Sequence, residues 1–259
     1  MKRKRILSML LTLCMVLGLL PGMTLTASAA EGTNDRSSEG TVRYEPLEIS
    51  ADSLNGNAIW GATEEWSGSI TLDNSAAFYA QHSNRNNNVG GLPVNGSLTT
   101  TNGTPYQLAT GGDEATAYDG KDCIWLHSGS KSVTMDLQTI GVYQNIYVLA
   151  TAGGPGSGNY AQFNVTLNYT DGTKSSTTYR LYDWYDLSAV DGVEKYYPVM
   201  RKENSGGAYT GKMDTSEGPI LQSATIEANT AKLLKSITFN LQGKNTGTDT
   251  SGLYCGIFL

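Results

Sequence analysis

Residues 181–186 read Leu-Tyr-Asp-Trp-Tyr-Asp, which sets two carboxylates among three aromatic rings. Three chemistries fit those residue types. Two carboxylates can share acid and base work on a glycosidic bond, but only when both flank one cleft at a set spacing; Asp183 and Asp186 offer only nearness in sequence. Trp184, Tyr182 and Tyr185 can stack on the apolar face of a sugar ring while Asp183 or Arg180 bonds its hydroxyls, because rings bury area at low entropic cost and keep a polar handle. Alternatively Asp183, where a strand runs out, accepts hydrogen bonds from loop amides, as aspartates at such corners do. Gln81-His82-Ser83-Asn84-Arg85-Asn86-Asn87-Asn88 is the second candidate. His82, Asn84 and Arg85 there are either ligand contacts on a loop or part of a solvated loop that binds nothing. Trp60 and Trp66, around Glu64-Glu65, either add a ring platform or belong to the core.

Other motifs fail on their chemistry. Gly153-Gly154-Pro155-Gly156-Ser157-Gly158 lacks the lysine and helix that a phosphate loop requires, and Gly211-Lys212 is followed by Met213 where Ser or Thr is needed. Cys123, Cys255, His82 and His127 give no zinc spacing. The two cysteines are either a disulfide, as an oxidising compartment allows, or two small buried residues. His127 shares a strand face with Cys123 and Trp125 and reads as a strand histidine rather than a triad member.

The elements that position these residues are short strands. Phe163, Val165, Leu167 and Tyr169 alternate with Asn164, Thr166, Asn168 and Thr170, the period-two pattern of one buried and one wet face. Asp171-Gly172 follows and predicts a hairpin through a type I′ turn. If the second strand keeps its parity, Tyr179 and Leu181 face the core while Arg180, Tyr182 and Trp184 share the outer face. Cys123 to His127, Val133 to Leu137 and Ile237 to Leu241 alternate likewise, and the apolar run Ile146–Ala150 predicts a central strand covered on both faces. Asn55-Gly56, Asn95-Gly96, Asn102-Gly103, Asp119-Gly120 and Asp191-Gly192 predict turns. Only Asn229–Leu234 suggests a turn of helix. The expected fold is all-β: a two-sheet antiparallel β-sandwich over about 220 residues, a size usual for one such domain.

The chain opens with Lys2, Arg3, Lys4 and Arg5, an apolar run from Ile6 to Leu20, and small residues to Ala27-Ser28-Ala29-Ala30. That is the design of a cleaved secretory signal peptide over residues 1–30, too short in its apolar run to span a bilayer comfortably. Residues 31–41 read as a flexible leader, and 42–259 as a single domain. The apolar ending Tyr254-Cys255-Gly256-Ile257-Phe258-Leu259 leads us to expect a longer native chain, because a terminal carboxylate on a packed strand is costly to bury. Eighteen basic and 24 acidic residues give the whole chain a charge of −6; without the four basic residues of the leader, 14 face 24, or −10. An acidic chain argues against nucleic acid and anionic membrane surfaces as partners.

Gly90-Gly91-Leu92-Pro93-Val94-Asn95-Gly96-Ser97-Leu98, Pro105-Tyr106-Gln107-Leu108, Tyr147–Gly154, Val165–Thr173 and Leu181–Tyr185 together resemble the galactose-binding-domain-like, jelly-roll β-sandwich modules of large secreted and cell-surface bacterial proteins. The resemblance spans Val42 to Leu259. It implies an extracellular, non-catalytic module in a larger chain with other domains, and a polysaccharide or glycan partner held by Trp184, Tyr182, Asp183, Tyr185, Arg180, His82, Asn84 and Arg85. Similar modules often hold a structural calcium, for which Asp52, Asp73 and Asp119 are the candidate ligands. The alternative is a structural or adhesive spacer that binds protein partners or no ligand.

Overall fold

The computed structural model describes residues 43–258 apart from 66, 68, 73–75, 82–90, 157, 187–192, 197–199, 206–207, 214–218 and 246. The expectations placed on Trp66, Asp73, His82, Asn84, Arg85 and Asp191-Gly192, the signal peptide over residues 1–30 and the leader over 31–41 lie outside the described residues, as does Val42. From Tyr44 onward the chain forms one compact unit.

Two antiparallel sheets face each other. The first has five strands, ordered β10 (Lys195–Tyr196), β13 (Leu221–Glu227), β7 (Asn145–Gly153), β15 (Tyr254–Phe258) and β5 (Ile124–His127). The second has four, ordered β6 (Ser132–Gly141), β14 (Leu234–Lys244), β8 (Tyr160–Tyr169) and β9 (Lys174–Tyr182). Alternation explains the pairing. Phe163, Val165 and Leu167 of β8 and Ile237, Phe239 and Leu241 of β14 point inward and are buried, meeting Ile124, Leu126, Val148, Ile226, Cys255 and Ile257 from the facing sheet. The protein is a β-sandwich. The run Ile146–Ala150 lies in the middle strand of its sheet, and Val148, Leu149 and Ala150 are all sealed from water, as a strand covered on both faces requires.

The outer face of the five-stranded sheet carries a further layer. β1 (Ile59–Trp60), β2 (Ala76–Tyr79), β11 (Met200–Ser205) and β12 (Ala208–Met213) form a sheet in that order, and β3 (Ser97–Thr99) pairs with β4 (Pro105–Gln107). Ile59, Phe78, Leu98 and Leu108 from this layer pack with Leu149, Leu221 and Phe258, making a second core. The two cysteines sit in different cores: Cys123 in the outer one, Cys255 in the sandwich interior, both as free thiols. Of the two readings the sequence left open, the structure therefore takes the pair of small buried residues. Burial pushes the Cys255 thiol up to about 12, which leaves it a neutral, unreactive packing group.

Three local expectations are corrected. The β8–β9 hairpin forms, with Asn168 opposite Lys174, but its turn is not type I′. Gly172 N–H bonds Tyr169 O at 3.1 Å and Tyr169 N–H bonds Thr173 O at 3.0 Å, so the loop is Thr170-Asp171-Gly172, and Gly172 alone takes a positive φ, +82°. That is the three-residue loop whose glycine supplies the left-handed step. Asn55-Gly56 is no turn: Gly56 bridges Cys123, and a Cβ there would stand 2.3 Å from the Trp125 Cβ, so glycine is needed for close approach. Asn229–Leu234 is a turn rather than a helix, closed by Lys232 N–H on Asn229 O at 3.1 Å.

Candidate functional site

Leu181-Tyr182-Asp183-Trp184-Tyr185-Asp186 sits where the chain crosses from one sheet to the next. β9 ends at Tyr182, and Asp183 forms a parallel bridge with Ala152 at the end of β7. Trp184 N–H then bonds Ala152 O at 2.7 Å, and Ile220 N–H bonds Trp184 O at 2.8 Å. Strand parity stops at that crossing. Trp184, expected on the wet face, is instead 2% exposed and lies in the outer core, edge-on to Phe78 at 5.1 Å. Its expected place beside Arg180 and Tyr182 is corrected for that reason. Tyr185 is half-buried against the same core.

The two aspartates hold a loop. Gly156 N–H donates to Asp183 Oδ2 at 3.1 Å, and Gly158 N–H donates to Asp186 Oδ2 at 2.6 Å. Asp183 Oδ1 also accepts Tyr185 N–H at 3.2 Å. Gly156 and Gly158 of the glycine-rich stretch and the aspartates of 181–186 are thus two halves of one structural unit, the amides of the first donating to the carboxylates of the second. This is the loop-anchoring role considered for Asp183.

What remains outward is Arg180 and Tyr182. On the outer face of the four-stranded sheet, Tyr182 stands directly opposite Tyr160, with ring centroids 5.8 Å apart and the planes at 68°. Both tyrosines are half-buried, and Arg180 is exposed with its guanidinium carbon 4.8 Å from the centre of the Tyr160 ring, within cation–π range. The mounting is firm. Buried Gln222 from the facing sheet clamps the edge strand, accepting from Tyr182 N–H at 3.1 Å and donating to Tyr182 O at 2.9 Å. Tyr160 is held on its other side by Asn245, whose Oδ1 accepts Tyr160 N–H at 3.0 Å. Beyond the tyrosines the face is a grid of amides and hydroxyls. Thr134 and Thr238 share a hydrogen bond at 2.8 Å, Thr166 and Ser176 another at 2.7 Å, and Thr178 donates to Asn164. Sequence reasoning missed Tyr160: the expected two-residue turn would set Ala161 opposite Tyr182, and only the three-residue loop brings Tyr160 there.

The remaining ring candidates are structural or peripheral. Trp60 is buried, meets Tyr79 edge-on at 5.3 Å and donates its indole N–H to Glu64 O at 2.7 Å, so it is core rather than platform. Trp125, half-buried at the margin of the outer core, contacts the His127 and Tyr254 rings at 4.5 and 5.9 Å, and its indole N–H donates to Leu72 O. His127 Nδ1 accepts Gly129 N–H at 3.1 Å, in keeping with a strand histidine.

Asp119 and Asp52 serve local structure or face solvent. Asp119 accepts from Thr63 N–H at 3.0 Å, Glu64 N–H at 3.2 Å and the Thr63 hydroxyl, so its oxygens are engaged by the adjacent loop, while Asp52 is exposed on the short 3-10 turn Ala51–Ser53. Among the described residues no three His, Cys, Asp or Glu side chains gather in a way that would hold a metal ion; Asp73 lies outside them. Burial holds the Glu64 carboxyl above its ordinary range, and it accepts from Asn57 at 2.7 Å.

Fold and surface together define a β-sandwich with a polar outer sheet face and a tyrosine–arginine cluster at one end of it. No known family model matches the chain, and no curated protein matches its sequence.

Proposed function

We propose that this protein is an extracellular, non-catalytic carbohydrate-binding module of a larger secreted or cell-surface protein, built on the galactose-binding-domain-like variety of β-sandwich. Tyr160, Tyr182 and Arg180 carry the reading: two firmly mounted rings and a guanidinium open onto a sheet face of amides and hydroxyls. Rings offer a saccharide its apolar partner, and the amide and hydroxyl grid offers donors and acceptors at strand spacing. The secretory leader design supports an extracellular module, with polysaccharide within its reach.

Binding to a panel of polysaccharides by affinity electrophoresis, for the native chain and Tyr182→Ala, tests it. Retardation by at least one polymer that the variant loses is expected. A native chain retarded by none contradicts the proposal. A second reading, a structural or adhesive spacer, draws support from Trp184, Asp183 and Asp186, which all serve the fold.

A further inference from the structure

We infer that the saccharide taken by the Tyr160–Tyr182–Arg180 face is acidic, bearing a carboxylate or sulfate that pairs with Arg180; this rests on the carbohydrate-binding reading. The chain as a whole is acidic, with 24 Asp and Glu against 18 Lys and Arg. Its charges are nevertheless segregated. The four strands of the sandwich sheet β6-β14-β8-β9 contain Lys174, Arg180, Lys235 and Lys244 but a single acid, Asp136 on the far edge strand β6. β8 and β9, which carry the tyrosine pair, contain no acid at all.

Among the described residues Arg180 has no ionic partner. The one ion pair among the described residues joins Lys232 to Asp171, at the opposite end of the hairpin. Arg180 instead lies over Tyr160, its cross-strand neighbour is the neutral Gln162, and its head is exposed. Asp183 and Asp186, the acids that follow β9, accept hydrogen bonds from the amides of Gly156, Tyr185 and Gly158. A guanidinium presents a planar fork that matches a carboxylate or sulfate in two parallel hydrogen bonds. Placed against two rings, it fits a uronic-acid or sulfated residue stacked on a tyrosine with its charged group toward Arg180.

The test uses polygalacturonate, alginate and hyaluronan, each beside its carboxyl-reduced neutral counterpart, and carrageenan beside its desulfated form, together with galactan, mannan and xylan, in titration calorimetry. At least one acidic polymer should bind, weaken as salt is raised, and lose about 10- to 100-fold in affinity on carboxyl reduction or desulfation, or in Arg180→Gln, the range of one charged hydrogen bond. Neutral polymers bound as tightly as acidic ones, with Arg180→Gln unchanged, would overturn the acidic inference and leave the carbohydrate reading standing. No binding to any polymer in the set would overturn both. Because Arg180 is exposed on an edge strand, the variant should keep the native melting temperature, which separates lost recognition from lost fold.

Discussion

The Trp184 ring meets Phe78 edge-on with centroids 5.1 Å apart, inside the core between the five-stranded sheet and the outer layer. An aromatic residue from the crossing after β9 thus locks to one from β2. Removing a fully buried indole costs about 3–5 kcal/mol. Trp184→Ala should lower stability by that amount in urea unfolding, while the variant that remains folded keeps the saccharide affinity of the native chain. A stable variant with lost affinity would return Trp184 to the binding surface.

Asp186 is the buried member of the loop-anchoring pair, its Oδ2 2.6 Å from Gly158 N. Asp186→Ala leaves that amide without its carboxylate and should cost about 1–3 kcal/mol. Urea unfolding measures the loss, and amide exchange at Gly158 should accelerate. Exchange unchanged at Gly158 would mean that the carboxylate does not hold the loop.

Asp122 is wholly buried and accepts Ala58 N–H at 2.9 Å and Ile59 N–H at 2.7 Å. Desolvation outweighs those amides and holds its carboxyl well above 3.8. The folded state then binds the proton more tightly than the unfolded one. The stability this contributes is complete below pH 3.8 and is lost as pH rises through the raised folded value. Relative to Asp122→Asn, which cannot ionise, the native chain should lose stability as pH climbs above 3.8; a difference that stays flat with pH contradicts this.

Asp171 shifts the other way. Hydrogen bonds from Thr173 and Lys232 lower its carboxyl to about 2. Its contribution to the hairpin is present above pH 3.8 and fades as pH falls through about 2. Carboxyl-carbon NMR should find Asp171 titrating near 2 in the native chain and closer to the ordinary range in Lys232→Ala. A native titration at the ordinary aspartate value would refute the pairing.

Much of the sandwich is legible in the sequence. Phe163, Val165, Leu167 and Tyr169 announce an inward face by strict alternation, and all four are buried. Asp171-Gly172 marks the hairpin, though loop length depends on which residues close the ladder, and Tyr169 with Thr173 closes it one residue wider than a type I′ turn allows. Trp184 was misplaced because alternation predicts a side only while a strand continues, and the strand stops at Tyr182, where Gln222 and Ala152 capture the chain. Those two partners come from other strands and leave no local mark. The outer layer was illegible for the same reason: β2 pairs with β11, more than a hundred residues away, and short strands such as Ile59–Trp60 show no period.

The most direct test of the central claim is a backbone amide NMR titration of the intact chain with a saccharide that binds it. The account predicts that the largest shift changes fall on Tyr160, Gln162, Arg180 and Tyr182, the neighbours of the tyrosine–arginine cluster. Changes concentrated instead around Trp125, His127 and Tyr254 on the other sheet would contradict it.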